Sequence, residues 1–263
     1  MRQRRLIVTW KDDASRPREI VPVAELLVDE VDGRPTRYEF GYVEGLRQAV
    51  ERGFQPFMAF PDPARRYASV ELFPFFQNRV LPTTRPDYLE GVRALGLDPA
   101  HASFADVLGR SNGQRATDRI ETVLVPERSP TGGYETHFLV RGVRYADGAE
   151  AAIATLAPGA HLTLAVDTKN PQNNRARKLV AETTSIGFLP DYLLADVDAL
   201  EARGKHPAVT VVRVNPPPQP MHHRVLCRMD AEWPDGFVPF SDPKLEPYDA
   251  SPKPTAAAPA HPS

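Results

Sequence analysis

A single cysteine, Cys227, stands in 263 residues. It excludes an internal disulfide and suits a reducing compartment. The chain also lacks any apolar run of the length needed to cross a bilayer. Met1-Arg2-Gln3-Arg4-Arg5 has the charge of a signal-peptide start, but Leu6 to Trp10 is far too short for its apolar core. The expectation is a soluble, cytoplasmic protein with no membrane partner. An excess of charge of one sign is missing too: the formal net charge is −2, which gives no global electrostatic pull toward nucleic acid. Splitting the chain changes nothing, with 19 Lys/Arg against 19 Asp/Glu in residues 1–133 and 11 of each in 134–232. Any polyanion site must therefore be a local patch of salt-sensitive affinity.

Signatures of catalysis are absent as well. There is no glycine-rich phosphate loop, no strand lysine with a downstream His-Arg-Asp-like loop, and no Asp-Phe-Gly. Ser111 lacks the glycines of a nucleophile elbow. The paired carboxylates Asp12-Asp13 and Asp196/Asp198 read as loop or exposed-helix residues, without the spatial relation that a glycosidase needs. His222, His223 and Cys227 form the only cluster of metal-ligand type. On one strand, neighbouring histidines point to opposite faces, and no CxxC or HExxH accompanies them. Cys227 alternates with Val225 and Met229 and reads as a small buried hydrophobe. The chain is expected to have no catalytic residue, no metal and no cofactor.

What is present is ordinary globular composition, 41% hydrophobic and 25% charged, enough for two modest cores. Leu6 to Trp10 and Tyr38 to Phe40 read as strands, and Val43 to Gly53 as a helix with a glycine stop. Phe54 to Pro61 is too proline-broken for regular structure. A helix starts near Phe73, another spans Pro86 to Leu95, and a third spans Ser103 to Leu108, closed by Gly109. Ile120 to Val125 is a strand. Ser129-Pro130-Thr131-Gly132-Gly133 has no apolar anchor and marks a boundary between domains at 1–128 and 134–232. Beyond it, strands are expected over Tyr134–Val143, His161–Val166, Lys178–Glu182, Val209–Val214 and Arg224–Met229. Helices cover Ala149–Leu156 and Pro190–Arg203, the second burying Leu193, Leu194, Val197 and Leu200. Residues 249–263 are rich in Pro and Ala and read as a disordered tail. Arg4-Arg5 and Arg65-Arg66 look like exposed basic pairs, and Arg110-Ser111-Asn112-Gly113-Gln114-Arg115 like a loop able to contact phosphate.

Within residues 38–97, Phe40-Gly41-Tyr42, Phe57-Met58-Ala59-Phe60-Pro61-Asp62 and Leu72-Phe73-Pro74-Phe75-Phe76-Gln77-Asn78-Arg79-Val80-Leu81-Pro82 follow one another. In this order they resemble the N-terminal subdomain of HipA-type proteins, without the kinase domain that follows it there. The resemblance implies an α+β interaction module with a protein partner reached through residues 38–97. Taken alone, Phe73, Phe75, Phe76, Val80 and Leu81 can bury aromatic faces around a proline-fixed corner.

From Gly142-Val143-Arg144-Tyr145 to Ile186-Gly187-Phe188-Leu189-Pro190, the second half resembles a HIRAN domain over residues 134–230. That family implies a small β-barrel similar to an oligonucleotide-binding fold, and some members hold the 3′ end of single-stranded DNA. Arg144 and Tyr145 stand at the family's Arg-Tyr pair and supply a cation and a stacking face. Asp167 ends a strand before Asn170-Pro171, which matches the family's Asn-Pro turn. Where the family continues with an aromatic and a carboxylate, this chain has Gln172 and Asn173. Asn173 can still bond a sugar hydroxyl, whereas Gln172 cannot stack, which weakens end binding. Arg175, Arg177 and Lys178 follow closely and form the local basic patch that the net charge lacks. The overall expectation is an α+β chain, a HipA-N-terminal-like module followed by a HIRAN-like barrel with helices. Its function would be non-catalytic binding of single-stranded or terminal nucleic acid. The alternative is a protein-interaction or antitoxin-like regulator acting on a kinase, helicase or nuclease through the first half.

Overall fold

The computed structural model describes residues 1–12, 14, 19–115 and 117–251. Its first half is built on a meander of β1 (Arg2–Asp12), β2 (Glu19–Val31) and β3 (Arg34–Tyr42). Sequence reasoning passed over β2, although Asp32-Gly33 follows it with φ of 48° and 74°, the left-handed pair that a two-residue hairpin requires. After α1 (Gly45–Glu51), β4 (Tyr67–Ser69) adds to one edge. Then come α2 (Pro74–Gln77), α3 (Tyr88–Ala94) and α4 (Phe104–Ser111), and β5 (Ile120–Leu124) joins the other edge. All pairs are antiparallel, in the order β4-β3-β2-β1-β5.

Both faces of this sheet are covered. Leu6, Val8, Leu26 and Phe40 enter a core with Phe60, Phe76 and Leu108, in which the Phe40 and Phe60 rings stack at 3.8 Å. The half-buried Phe73 and Phe75 edge onto it, while Leu81 remains exposed. On the reverse face, Ile7 and Val123 belong to the core of the second half. Alternation along a strand is what places Ile7 opposite Leu6 and Val8.

Helix α4 begins as expected, with Ser103 and Asp106 in a capping box, but does not stop at Gly109. A Cβ there would lie 2.5 Å from that of Leu124, so Gly109 serves close packing on β5. The stop comes at Asn112, with φ 58°.

The second half has β6 (Glu127–Arg128), β7 (Tyr134–Leu139), α5 (Ala149–Thr155), β8 (His161–Val166), β9 (Arg177–Ala181), β10 (Thr184–Phe188), α6 (Leu194–Glu201), β11 (Ala208–Val214) and β12 (Val225–Ala231). They form one antiparallel sheet in the order β10-β9-β8-β11-β12-β7-β6. Ser129–Gly133 is the hairpin turn between β6 and β7. The expected barrel is corrected to an open sheet: among the described residues no strand pair closes it. Its ends meet at one bridge, where Arg141 and Phe188 exchange hydrogen bonds of 3.0 and 2.8 Å. Closure stops there because β7 gives way at Gly142, φ 66°, to a 3-10 turn over Val143–Tyr145. The architecture is thus mixed α+β with two antiparallel sheets and short helices.

The expected helix over Pro190–Arg203 is a 3-10 turn, Asp191–Leu193, followed by α6, and its four apolar residues are buried. Asp196 is corrected from exposed to buried. Its carboxylate accepts the Tyr134 hydroxyl at 3.1 Å and the Phe240 N–H at 2.9 Å, and burial pushes it up to about 6. After β12, Phe237, Phe240 and Leu245 enter the second core, and Pro247 bridges to Val43. Asp249 and Ser251 accept from Arg47; the rest of the expected tail, 252–263, lies outside the described residues, as does Asp13. Among the described residues no helix is long and apolar enough to cross a membrane.

Candidate functional site

Two adjoining clefts lie where the halves meet. The first, about 410 Å³, runs under the turn bearing Arg144 and Tyr145. Buried Val143 anchors that turn, and its next two side chains face outward. Tyr145 is 69% exposed, an unusual state for an aromatic. The Arg144 guanidinium lies 4.6 Å from the ring centre and donates to the ring hydroxyl. A stacking face and a cation are thus held together at the cleft mouth.

The floor of this cleft is polar and comes from both halves. Glu121, 2% exposed, pairs with Arg141 at 3.1 Å and also with Lys11 and the Gln114 amide. Arg141 donates to Asn112 Oδ1 at 2.9 Å. His222 also faces the cleft; burial, with the charges of Arg141 and Lys11, pushes its imidazole down from its ordinary value.

The second cleft, about 880 Å³, shares Ile20, Asp191 and Tyr192 with the first. One wall is the loop Asn170–Arg175. Asn170 Oδ1 accepts the N–H groups of Gln172 and Asn173 at 2.9 and 3.1 Å, which folds the loop on itself. Asn173 accepts from the Arg175 N–H at 2.9 Å and bonds Asp191. Although Asp191 is exposed at the cleft surface, surrounding protein raises its carboxyl above the ordinary value, against the Asn173 amide and the Arg141 charge.

The expected site residues are therefore only partly assembled. Arg144 and Tyr145 line one cleft; Asn170, Asn173 and Arg175 line its neighbour. Asp167, Arg177 and Lys178 line neither. Asp167 pairs with Lys178 at 3.2 Å. Arg175 bonds Asp198 at 2.5 Å, and Arg177 bonds Asp198 and Glu201, both at 2.7 Å. The cations of the expected basic patch are thus held by neighbouring carboxylates.

Other expectations are corrected. Arg4 is buried among Asp106, Glu30 and Glu127. Arg5 is half-buried and pairs with Glu25; Arg65 and Arg66 are exposed as expected, Arg66 also pairing with Glu25. Arg110 donates to the Leu95 and Gly96 carbonyls. His222 and His223 sit in a 3-10 turn rather than on the strand with Cys227. Cys227 is buried as its alternation with Val225 and Met229 predicts, and burial pushes its thiol up to about 12. Among the described residues no group of three His, Cys, Asp or Glu side chains is placed to hold a metal. Lys11, Glu121, Arg141 and Tyr192 were missed, whereas Asn112 and Gln114 lie in the Arg110–Arg115 segment and His222 in the histidine pair singled out from sequence.

No family model matches the chain, and no curated protein matches it. Among solved structures it is similar to a protein from Lactobacillus plantarum, 17% identical with a TM-score of 0.30, over 38% of this chain and 99% of that one. It is also similar to the HIRAN domain of human HLTF, 16% identical with a TM-score of 0.28, over 41% of this chain and 75% of that one. Both likenesses are weak. They lend no support to the HipA-type arrangement expected of the first half.

Proposed function

We propose that this chain binds nucleic acid without acting on it, holding a single-stranded or terminal segment in the cleft beneath Tyr145. The observation that carries the reading is the exposed Tyr145 ring with the Arg144 guanidinium against it, at the mouth of a polar cleft. A base stacks on such a ring irrespective of its sequence, and Arg144 neutralises the adjoining phosphate. Asn173, in the neighbouring cleft, hydrogen-bonds a sugar hydroxyl. Arg175, Arg177 and Lys178 reach phosphate only by leaving Asp198, Glu201 and Asp167, so few counterions are released and the salt dependence is shallow.

Fluorescence anisotropy of labelled single-stranded, duplex and 3′-blocked oligonucleotides, titrated across a salt series, tests this. Base stacking contributes about 1–3 kcal/mol per base, so Tyr145→Ala weakens single-strand binding by about fivefold or more. Equal affinity of the variant and the wild type at low salt overturns the reading.

A further inference from the structure

The halves are joined at the cleft floor through Glu121. Its carboxylate, buried inside β5, is within 3.1 Å of the Arg141 guanidinium. Asn112 Oδ1 accepts from the same Arg141 nitrogen, Nη2, at 2.9 Å. Asn112 is itself fixed to β5, its carbonyl accepting the Thr122 N–H at 2.8 Å. Both bonds converge on the same Nη2, from β5 and from the α4 C-cap that β5 fixes, so that end of the guanidinium has little freedom to reorient.

What Arg141 governs gives this arrangement a purpose. Its backbone exchanges both hydrogen bonds with Phe188, and the turn bearing Arg144 and Tyr145 begins at the next residue. Rings from both sides close on that start: a Cβ on Gly142 would lie 3.0 Å from the Phe188 ring and 3.8 Å from the Tyr145 ring. Bridge, turn and ring are therefore one contiguous unit, and Glu121 grips it from the other half of the molecule.

We infer that Glu121 is a positioning residue: acting through Arg141, the edge strand of the first sheet sets the turn that presents Tyr145. The site is then a property of both halves rather than of the second alone. The inference deepens the function proposed above and depends on it for one of its two readouts.

The test is a double-mutant cycle in the full chain, with Glu121→Gln, Tyr145→Ala and their combination. Glutamine keeps the size and an acceptor but loses the charge that strengthens the bond to Arg141. With a single-stranded deoxythymidine oligonucleotide as probe, Glu121→Gln weakens binding by about fivefold in the wild-type background. It has almost no effect on top of Tyr145→Ala, since coupled residues are non-additive. Additive losses show a merely structural role and overturn the inference. The second readout is amide hydrogen exchange: in Glu121→Gln the amides of Arg141, Tyr145 and Phe188 exchange about tenfold faster, while those of β2 are unchanged. Unchanged exchange at these amides overturns the inference even where binding falls. If the wild type binds no oligonucleotide while the variant's exchange accelerates, the proposed function fails and the positioning role stands. Should Glu121→Gln not fold, Arg141→Lys, which keeps the charge and loses the planar fork, is read in the same two ways.

Discussion

Gly187→Ala is expected to lower the free energy of unfolding by about 3 kcal/mol or more, from backbone strain and a close approach acting together. The residue has φ of 140°, a conformation that side chains of L-residues rarely adopt. The space is also taken: a Cβ there would lie 2.5 Å from the Arg141 carbonyl oxygen and 2.6 Å from a Val140 methyl. The oxygen is backbone and belongs to the bridge that joins the ends of the second sheet, so it cannot move without breaking that bridge. Urea denaturation reads the effect as a lower midpoint at unchanged slope. Gly159→Ala separates the two causes, because Gly159 has φ of 90° and nothing within 4 Å of a Cβ. It carries strain alone, and a loss of about 1 kcal/mol is expected. Equal losses in the two variants would refute the close approach at Gly187.

Acidification should destabilise the protein below about pH 6.5 through His137. Burial, with the charges of Arg110 and Arg228, pushes this imidazole down to about 3, with Asp106 pulling the other way. The native state therefore keeps His137 neutral where the unfolded chain takes up a proton. Its stability contribution is full above the unfolded value of 6.5 and is lost as pH falls toward 3. A difference of one bound proton gives a slope of about 1.4 kcal/mol per pH unit within that window. His223, pushed down to about 4 by burial and by His222, adds in the same direction. Asp196 opposes them: raised to about 6, it stabilises below its unfolded value of 3.8 and loses that contribution as pH rises through 6. His222 is lowered like the other two histidines and Asp191 raised like Asp196, so the contribution of His137 is isolated by removing it. In His137→Gln, denaturation at successive pH values should show a slope shallower by about one proton. A slope identical to that of the wild type would remove His137 from the account.

How much of this was legible in the chain depended on whether a residue's partners were local. Strand β1 announced itself through Leu6 to Trp10, and α4 through the helical stretch Ser103 to Leu108. The strand β2 did not, because Val21, Val23, Ala24, Leu26 and Val28 are all buried. All five enter the first core, on two phases of the alternation separated by the register shift opposite Val8 and Thr9, and a bulged strand loses its two-residue periodicity. The same division runs through the site. The Arg144-Tyr145 turn carries its local signals in Gly142, with φ of 66°, and in buried Val143, all within four positions. The floor has none: Lys11, Glu121 and Arg141 are far apart in sequence, and no spacing rule joins them. Nor could local charge show that Arg175 and Arg177 face Asp198, which α6 brings to them from more than twenty positions away.

The sequence by itself determined the strand through Leu6 to Trp10, the proline-started helix near Phe73, the close approach that Gly187 permits and the balance of charge that gives no global pull on polyanions. These follow from dihedral limits and composition, which neighbours along the chain settle. Only the tertiary structure decided that the second sheet stays open but for the Arg141–Phe188 bridge. It alone placed Ile7 and Val123 in the other half's core, neutralised the basic patch, and set a buried Glu121 under the tyrosine's turn. Each of these is a pairing across long sequence separation, fixed by burial that forces every charge taken from water to find a partner.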